Sequence, residues 1–179
     1  PKVTAIGETG MDYYWMPSKQ GESAEVDERY KRRQAEIFDQ QLELAAELAL
    51  HCIVHERDAR EATLVHMRKF SGRVRGVFHC FSGNMEQAGK IIDLGFYLGI
   101  GGVITFKNSG LDKVMRETDM KNVVLETDAP YLAPVPFRGK RNECSYLKYV
   151  VEKLSEIKDI SKNEVAEITT RNAKELFSI

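Results

Sequence analysis

Short apolar runs alternate with longer amphipathic ones along the 179 residues. Residues 3–7 read as a buried strand, followed by a loop over 8–23 rich in aromatic and polar side chains. Over 24–50, Val26, Tyr30, Ile37, Phe38, Leu42, Ala45 and Ala49 recur on one stripe, which predicts a long helix. Residues 52–54 read as a second strand, and Asp58 with Glu61 forms a capping box for a helix reaching about residue 70. A third strand is predicted over 74–78, a helix over 84–94 stopped by Gly95, and a fourth strand over 96–100. A short helix over 109–117 and a fifth strand over 123–126 follow. Residues 128–143 form a long loop broken by Pro130, Pro134 and Pro136, and helices over 145–157 and 161–177 close the chain, the last capped by Ser161 and Glu164.

Strands that alternate with helices imply an α/β fold with a parallel sheet, either open and doubly wound or closed into a barrel. Gly99, Gly101 and Gly102 come nearest to a phosphate-binding fingerprint, but the pattern predicts no helix directly after them.

Length and composition narrow the class. The 179 residues suffice for a single domain, 1–179, and 42% apolar with 30% charged residues is the balance of a soluble globular protein. A formal net charge of -1 argues against a broad basic nucleic-acid surface, so any such contact is local. Cys52, Cys80 and Cys144 are odd in number and match no zinc spacing. They read as thiols of a reducing compartment, cytoplasmic or, in a eukaryote, nuclear, with Cys52 and Cys80 as buried strand residues. No apolar run approaches a membrane span, and residues 1–4 do not read as the start of a signal peptide.

The candidate chemistry sits where the predicted strands end. Glu8 follows the first, His55 the second, His79 the third, and Asp128 the fifth, just after Glu126. Parallel strands direct these ends to one rim, the face on which α/β barrels carry their active sites. Two imidazoles and two carboxylates suit Zn²⁺, Mn²⁺ or Mg²⁺. Two such ions ~3.5–4 Å apart clamp a phosphodiester for in-line attack. Each residue also has a structural alternative. Glu8 caps a turn, His55 or His79 is a core imidazole satisfied by backbone, and Asp128 caps the loop before Pro130.

Arg138, Lys140 and Arg141, in the loop after Asp128, are candidates for gripping phosphate, as is Arg57 two residues past His55. A solvated basic loop is the alternative. Trp15, with Tyr13 and Tyr14, either stacks on bases or packs in the core. His66 reads as a solvated mid-helix residue, and His51 as the cation at a helix end.

Five segments carry a family resemblance. Residues 6–13, with Gly7, Glu8, Gly10 and Asp12, resemble the Gly-Glu-x-Gly-Leu-Asp signature of the TatD family of metal-dependent deoxyribonucleases. Residues 55–59 resemble its His-x-Arg-Asp-Ala segment, and residues 79–83 match its His-Cys-Phe-Ser-Gly. Residues 126–132 match its Glu-Thr-Asp-Ala-Pro-Tyr-Leu run, and residues 138–143 the basic loop that follows. Cys144 stands where the family usually has Pro, a change expected to affect only a helix start.

The resemblance implies a (β/α)8 barrel of the TIM type in which the chain supplies strands 4 to 8 and lacks the N-terminal portion with its His-x-His strand. It further implies two divalent ions. Glu8 bridges them, His55 and His79 hold one, and Asp128 holds the other and takes a proton from the attacking water, so that Asp128 and Glu8 are the catalytic pair. The implied activity is hydrolysis of DNA, single-stranded or at 3′ ends, as a 3′–5′ exonuclease, with no membrane and no obligate protein partner. The ligand set leaves two alternatives open: a metal-dependent esterase, such as a D-aminoacyl-tRNA deacylase, and a non-catalytic remnant or binding protein.

Overall fold

The computed structural model describes residues 3–179, so the reading of residues 1–4 falls partly on Pro1 and Lys2, outside the described residues. The chain has an α/β fold whose described strand pairs are parallel. It divides into two compact units, the first ending at Gly76 and the second running Val77–Ile179.

The first unit contains strand β1 (Ala5–Asp12), a 3-10 turn (Pro17–Gln20), helix α1 (Ala24–Glu47), strand β2 (His51–Arg57) and helix α2 (Arg60–Arg68). β1 and β2 pair in parallel, from Ala5 opposite His51 to Asp12 opposite Arg57. The register steps from Gly7–Ile53 to Thr9–Val54, so Glu8 is the extra residue of a β-bulge. Both strands are longer than their apolar runs suggest, because pairing continues through polar positions. Glu8 and His55 therefore lie within strands rather than just beyond them, and His51 opens β2 instead of ending a helix.

α1 packs on β1 and touches α2. Phe38, Leu42 and Ala45 are buried completely, whereas Tyr30 and Ile37 face solvent. Each fully buried side chain of the Phe or Leu class contributes about 1.5–3 kcal/mol. The capping box predicted at Asp58 and Glu61 does not form. Ala59 is the N-cap, Asp58 is left-handed (φ 56), and the Glu56 carboxylate accepts the Ala59 N–H at 3.0 Å. A carboxylate from the preceding strand thus does the work of the cap.

β3 (Gly76–Phe78) begins on the last residue of the first unit. The second unit continues with α3 (Met85–Asp93), β4 (Phe96–Ile100), a 3-10 turn (Gly102–Thr105), α4 (Leu111–Glu117) and β5 (Val123–Leu125). After a loop come a 3-10 turn (Cys144–Tyr146), α5 (Leu147–Lys158) and α6 (Lys162–Phe177). Asn84 and Gln87 form a reciprocal capping box at α3, and Gly95 ends that helix with φ 80. β4 is buried along its whole length and pairs in parallel with β5, Leu98 opposite Val123.

α5 and α6 pack on one another, and α6 lies on β5. The buried Asn172 amide fastens that contact by donating to the Met120 and Val123 carbonyls, each at 2.7 Å. Lys158 gathers the Met115, Arg116 and Thr118 carbonyls at the C-terminal end of α4, where a cation suits the helix dipole. Cys144 is the first residue of its 3-10 turn.

Candidate functional site

In the first unit the chemistry gathers on β1 and β2. Gly10 pairs with His55, and Glu8 and Asp12 stand two residues to either side of it. A side chain at Gly10 has no room, since a Cβ there would lie 1.9 Å from the His55 carbonyl oxygen, and its φ of +150° disfavours L residues. The imidazole is held by both carboxylates, with Nδ1 2.7 Å from Glu8 Oε1 and Nε2 3.2 Å from Asp12 Oδ2.

Asp12 is itself fixed. Its backbone N–H donates to Gln34 Oε1 at 2.8 Å, the Gln34 amide donates to its carbonyl at 2.9 Å, and its Oδ1 accepts the Tyr14 N–H at 2.8 Å. An open recess of about 390 Å³ is lined by Glu8, Thr9, Gly10, Asp12, Gln34, Ile37 and His55. Glu8 is half exposed and His55 less so, which leaves both open to a ligand.

A neutral imidazole carries one N–H and can donate to only one of two carboxylates. With its Nε2–H given to Asp12, the imidazole would present Nδ1 beside the Glu8 carboxylate as two adjacent ligand atoms for a divalent cation. Ligating histidines characteristically give their second N–H to a carboxylate. The donor set therefore fits a metal ion, with Glu8 and His55 as ligands and Asp12 as the orienting group.

In the second unit the candidates lie at the ends of β3 and β5. His79 Nδ1 lies 3.5 Å from Glu126 Oε2, and Glu126 Oε1 accepts the Cys80 N–H at 2.6 Å. Glu126 thus holds the turn that carries His79. Cys80 lies past β3 in a left-handed conformation (φ 48) and is partly exposed, not a buried strand residue like Cys52.

Asp128 is partly buried and left-handed (φ 52), and its carbonyl accepts the Tyr131 N–H at 2.8 Å. Asn142 secures this loop from within the protein. Its amide donates to the Thr127 carbonyl at 2.5 Å and the Tyr131 carbonyl at 2.6 Å, and its Oδ1 accepts the Glu143 N–H at 2.9 Å. Gly102 allows the same loop to come close, because a Cβ there would meet the Leu132 carbonyl oxygen at 2.1 Å.

The basic candidates divide. Lys140 and Arg141 are exposed, and the Arg138 guanidinium lies 4.3 Å over the Phe106 ring. Phe137 stacks on Tyr146 at 4.3 Å and anchors that end of the loop. In the first unit the Arg57 guanidinium lies 3.5 Å over Tyr14.

His66 lies within α2 and is partly exposed, but it is also paired: its Nδ1 is 2.6 Å from Asp39, which Lys69 also contacts at 2.9 Å. Asp12, Glu126 and Asn142 were not assigned roles from the sequence. The signal available for each was its place in a matching segment, at the end of the Gly-Glu motif, at the head of Glu-Thr-Asp and inside the basic loop.

A family model described as TatD related DNase matches residues 1–178. An uncharacterized metal-dependent hydrolase of Bacillus subtilis, YabD, is 44% identical over 180 residues, covering 99% of this chain and 66% of that protein. YcfH of Escherichia coli, also described as an uncharacterized metal-dependent hydrolase, is 40% identical over 99% of this chain and 63% of its own length. The crystal structure of YjjV, a TatD homolog from Escherichia coli, superposes with a TM-score of 0.87 at 29% identity over 99% of this chain and 65% of that one. The chain thus spans just under two thirds of the length of these relatives.

Proposed function

The chain belongs to the TatD-related DNase family, and from that premise we propose that it carries metal ligands and the proton acceptor of a divalent-metal-dependent hydrolase that cleaves DNA phosphodiester bonds. The observation that carries the reading is the His55 imidazole held between Glu8 and Asp12, the environment of a ligating histidine.

In this reading residues 1–179 act as a single catalytic domain. Glu8, His55, His79 and Asp128 are the ligands, with Asp12 and Glu126 orienting the two imidazoles. Divalent ions held there would supply positive charge to polarise a phosphoryl oxygen and offset the charge of in-line displacement. Asp128 takes the proton of the attacking water, in a loop that Asn142 holds in place. Lys140 and Arg141 meet the phosphates flanking the scissile bond, with Arg138 and Arg57 as further cations. The formal charge of -1 agrees with such local contacts and not with a wide basic surface.

The test is a labelled single-stranded oligonucleotide incubated with the protein and Mg²⁺ or Mn²⁺, beside a D-aminoacyl-tRNA ester. Stepwise shortening from the 3′ end is expected, with Asp128→Ala slower by about 10²–10⁴-fold. Turnover of the ester with no cleavage of DNA would replace the nuclease with an esterase. Turnover of neither substrate would remove the enzymatic reading.

A further inference from the structure

Tyr14 and Trp15 stand two and three residues past the end of β1, and their surroundings are not those of packing residues. Trp15 is 62% exposed and Tyr14 38% exposed, while the next residue, Met16, is 4% exposed and supplies the loop's apolar anchor. The loop does not need Trp15 to hold its shape. Tyr13 N–H donates to the Arg57 carbonyl at 2.8 Å, Tyr14 N–H to Asp12 Oδ1 at 2.8 Å, and Lys19 Nζ to the Tyr14 carbonyl at 2.8 Å. Two exposed rings in edge contact on an ordered backbone make a contiguous apolar patch, the kind of surface feature that marks a binding site.

The groups around it indicate which ligand. The two rings meet edge to face, with centroids 4.7 Å apart and planes at 85°. Arg57 Cζ lies 3.5 Å from the Tyr14 centroid and 6.0 Å from that of Trp15, and Lys19 Nζ lies 5.0 Å from Tyr14. Flat π-faces beside two fixed cations complement a flat base on an anionic backbone.

The cluster is also coupled to the candidate metal ligands. Asp12 accepts from Tyr14 with one carboxylate oxygen and faces His55 Nε2 with the other, and Arg57 is two residues beyond His55 on β2. We propose that Tyr14, Trp15 and Arg57 form a stacking platform for a nucleobase of a single-stranded substrate, next to the Glu8–His55 pair. This rests on the phosphodiesterase reading and extends it, because it makes the substrate's unpaired bases, and not only its phosphates, part of recognition.

Trp15 is the single tryptophan of the chain, and the difference from a Trp15→Phe variant assigns its emission. The protein, held in chelator so that nothing is cleaved, is titrated with oligothymidylate and with an abasic oligonucleotide of equal length. Saturable quenching by the first and none by the second is expected. Trp15→Ala is expected to weaken binding of the labelled oligothymidylate on the order of ten-fold, measured by anisotropy.

Emission that is shielded from acrylamide in the free protein, or that ignores the oligonucleotide, overturns the platform, as does equal affinity of Trp15→Ala. Hydrolysis of bis(p-nitrophenyl) phosphate by the metal-loaded wild type separates the two readings. With that activity present, any of these negative results overturns the platform alone. With no phosphodiesterase activity, the platform falls together with the function it serves.

Discussion

Replacing Asn142 with Ala is expected to cost about 3 kcal/mol of stability, and the figure follows from the atoms it leaves behind. Asn142 is 3% exposed, and its side chain makes three hydrogen bonds, donating to the Thr127 and Tyr131 carbonyls and accepting from the Glu143 N–H. Each bond contributes about 1 kcal/mol net, and a buried partner left unsatisfied costs about 1–3 kcal/mol. The backbone bond from Asn142 N–H to the Pro130 carbonyl survives the substitution and keeps the total near the lower end.

Urea denaturation followed by circular dichroism measures the effect. With a slope of about 2 kcal/mol per molar, the midpoint falls by about 1.5 M. Asn142→Asp separates donor from acceptor, since it keeps the oxygen facing Glu143 but loses both N–H donors and sets a carboxylate beside two carbonyls. Its loss should at least equal that of Ala. A midpoint shift below about 0.3 M in Asn142→Ala would refute the reasoning, because water would then serve those carbonyls as well as the amide does.

Three further outcomes follow from the geometry. Gly10→Ala forces a Cβ into the His55 carbonyl at 1.9 Å and should cost at least about 3 kcal/mol by strain and lost β1–β2 pairing; a thermal melt like wild type would contradict it. Burial pushes the Asp39 carboxyl up, but its hydrogen bonds with Lys69 and His66 outweigh this and hold it below the usual value of 3.8. A depressed folded value means stabilisation that is complete above the ordinary carboxylate range and lost as pH falls below it. Asp39→Asn should therefore lose up to about 1 kcal/mol at neutral pH and nothing near pH ~2, and a pH-independent loss would speak against the ion pair. Burial raises the Cys52 thiol to about 12, so a disulfide reagent at mildly alkaline pH should leave it untouched in the folded protein while exposed Cys144 reacts; equal rates would contradict the burial.

Much of the fold was legible because its strands are apolar runs between amphipathic helices. β4 falls on the predicted 96–100, and the Asn84 and Gly95 boundaries of α3 carry their own local signals. What escaped depends on partners distant in sequence. β1 runs on to Asp12 because β2 continues to pair with it, and the bulge at Glu8 is a property of that register, not of either segment alone. The helix cap at Ala59 comes from Glu56, which a local capping rule centred on Asp58 does not consider.

The candidate site was proposed from its residue types. His55 and His79 are two of the four histidines, Glu8 and Asp128 fall with them at regular places in an α/β pattern, and the family resemblance rests on the segments around them. The carboxylates that orient the imidazoles were not legible. Asp12 meets His55 only when β1 and β2 have paired, with Gly10 opposite His55, and Glu126 meets His79 only when β3 and β5 have folded.

Metal reconstitution with ligand variants tests the central claim most directly. Protein stripped by chelator is assayed on a labelled single-stranded oligonucleotide before and after addition of Mn²⁺ or Mg²⁺, with His55→Ala and His79→Ala alongside and metal content measured for each. The account predicts a silent stripped protein, recovery with metal, and loss of both bound metal and cleavage in the two variants. Cleavage that persists in chelator, or variants that hold metal and cut DNA as wild type does, would contradict it.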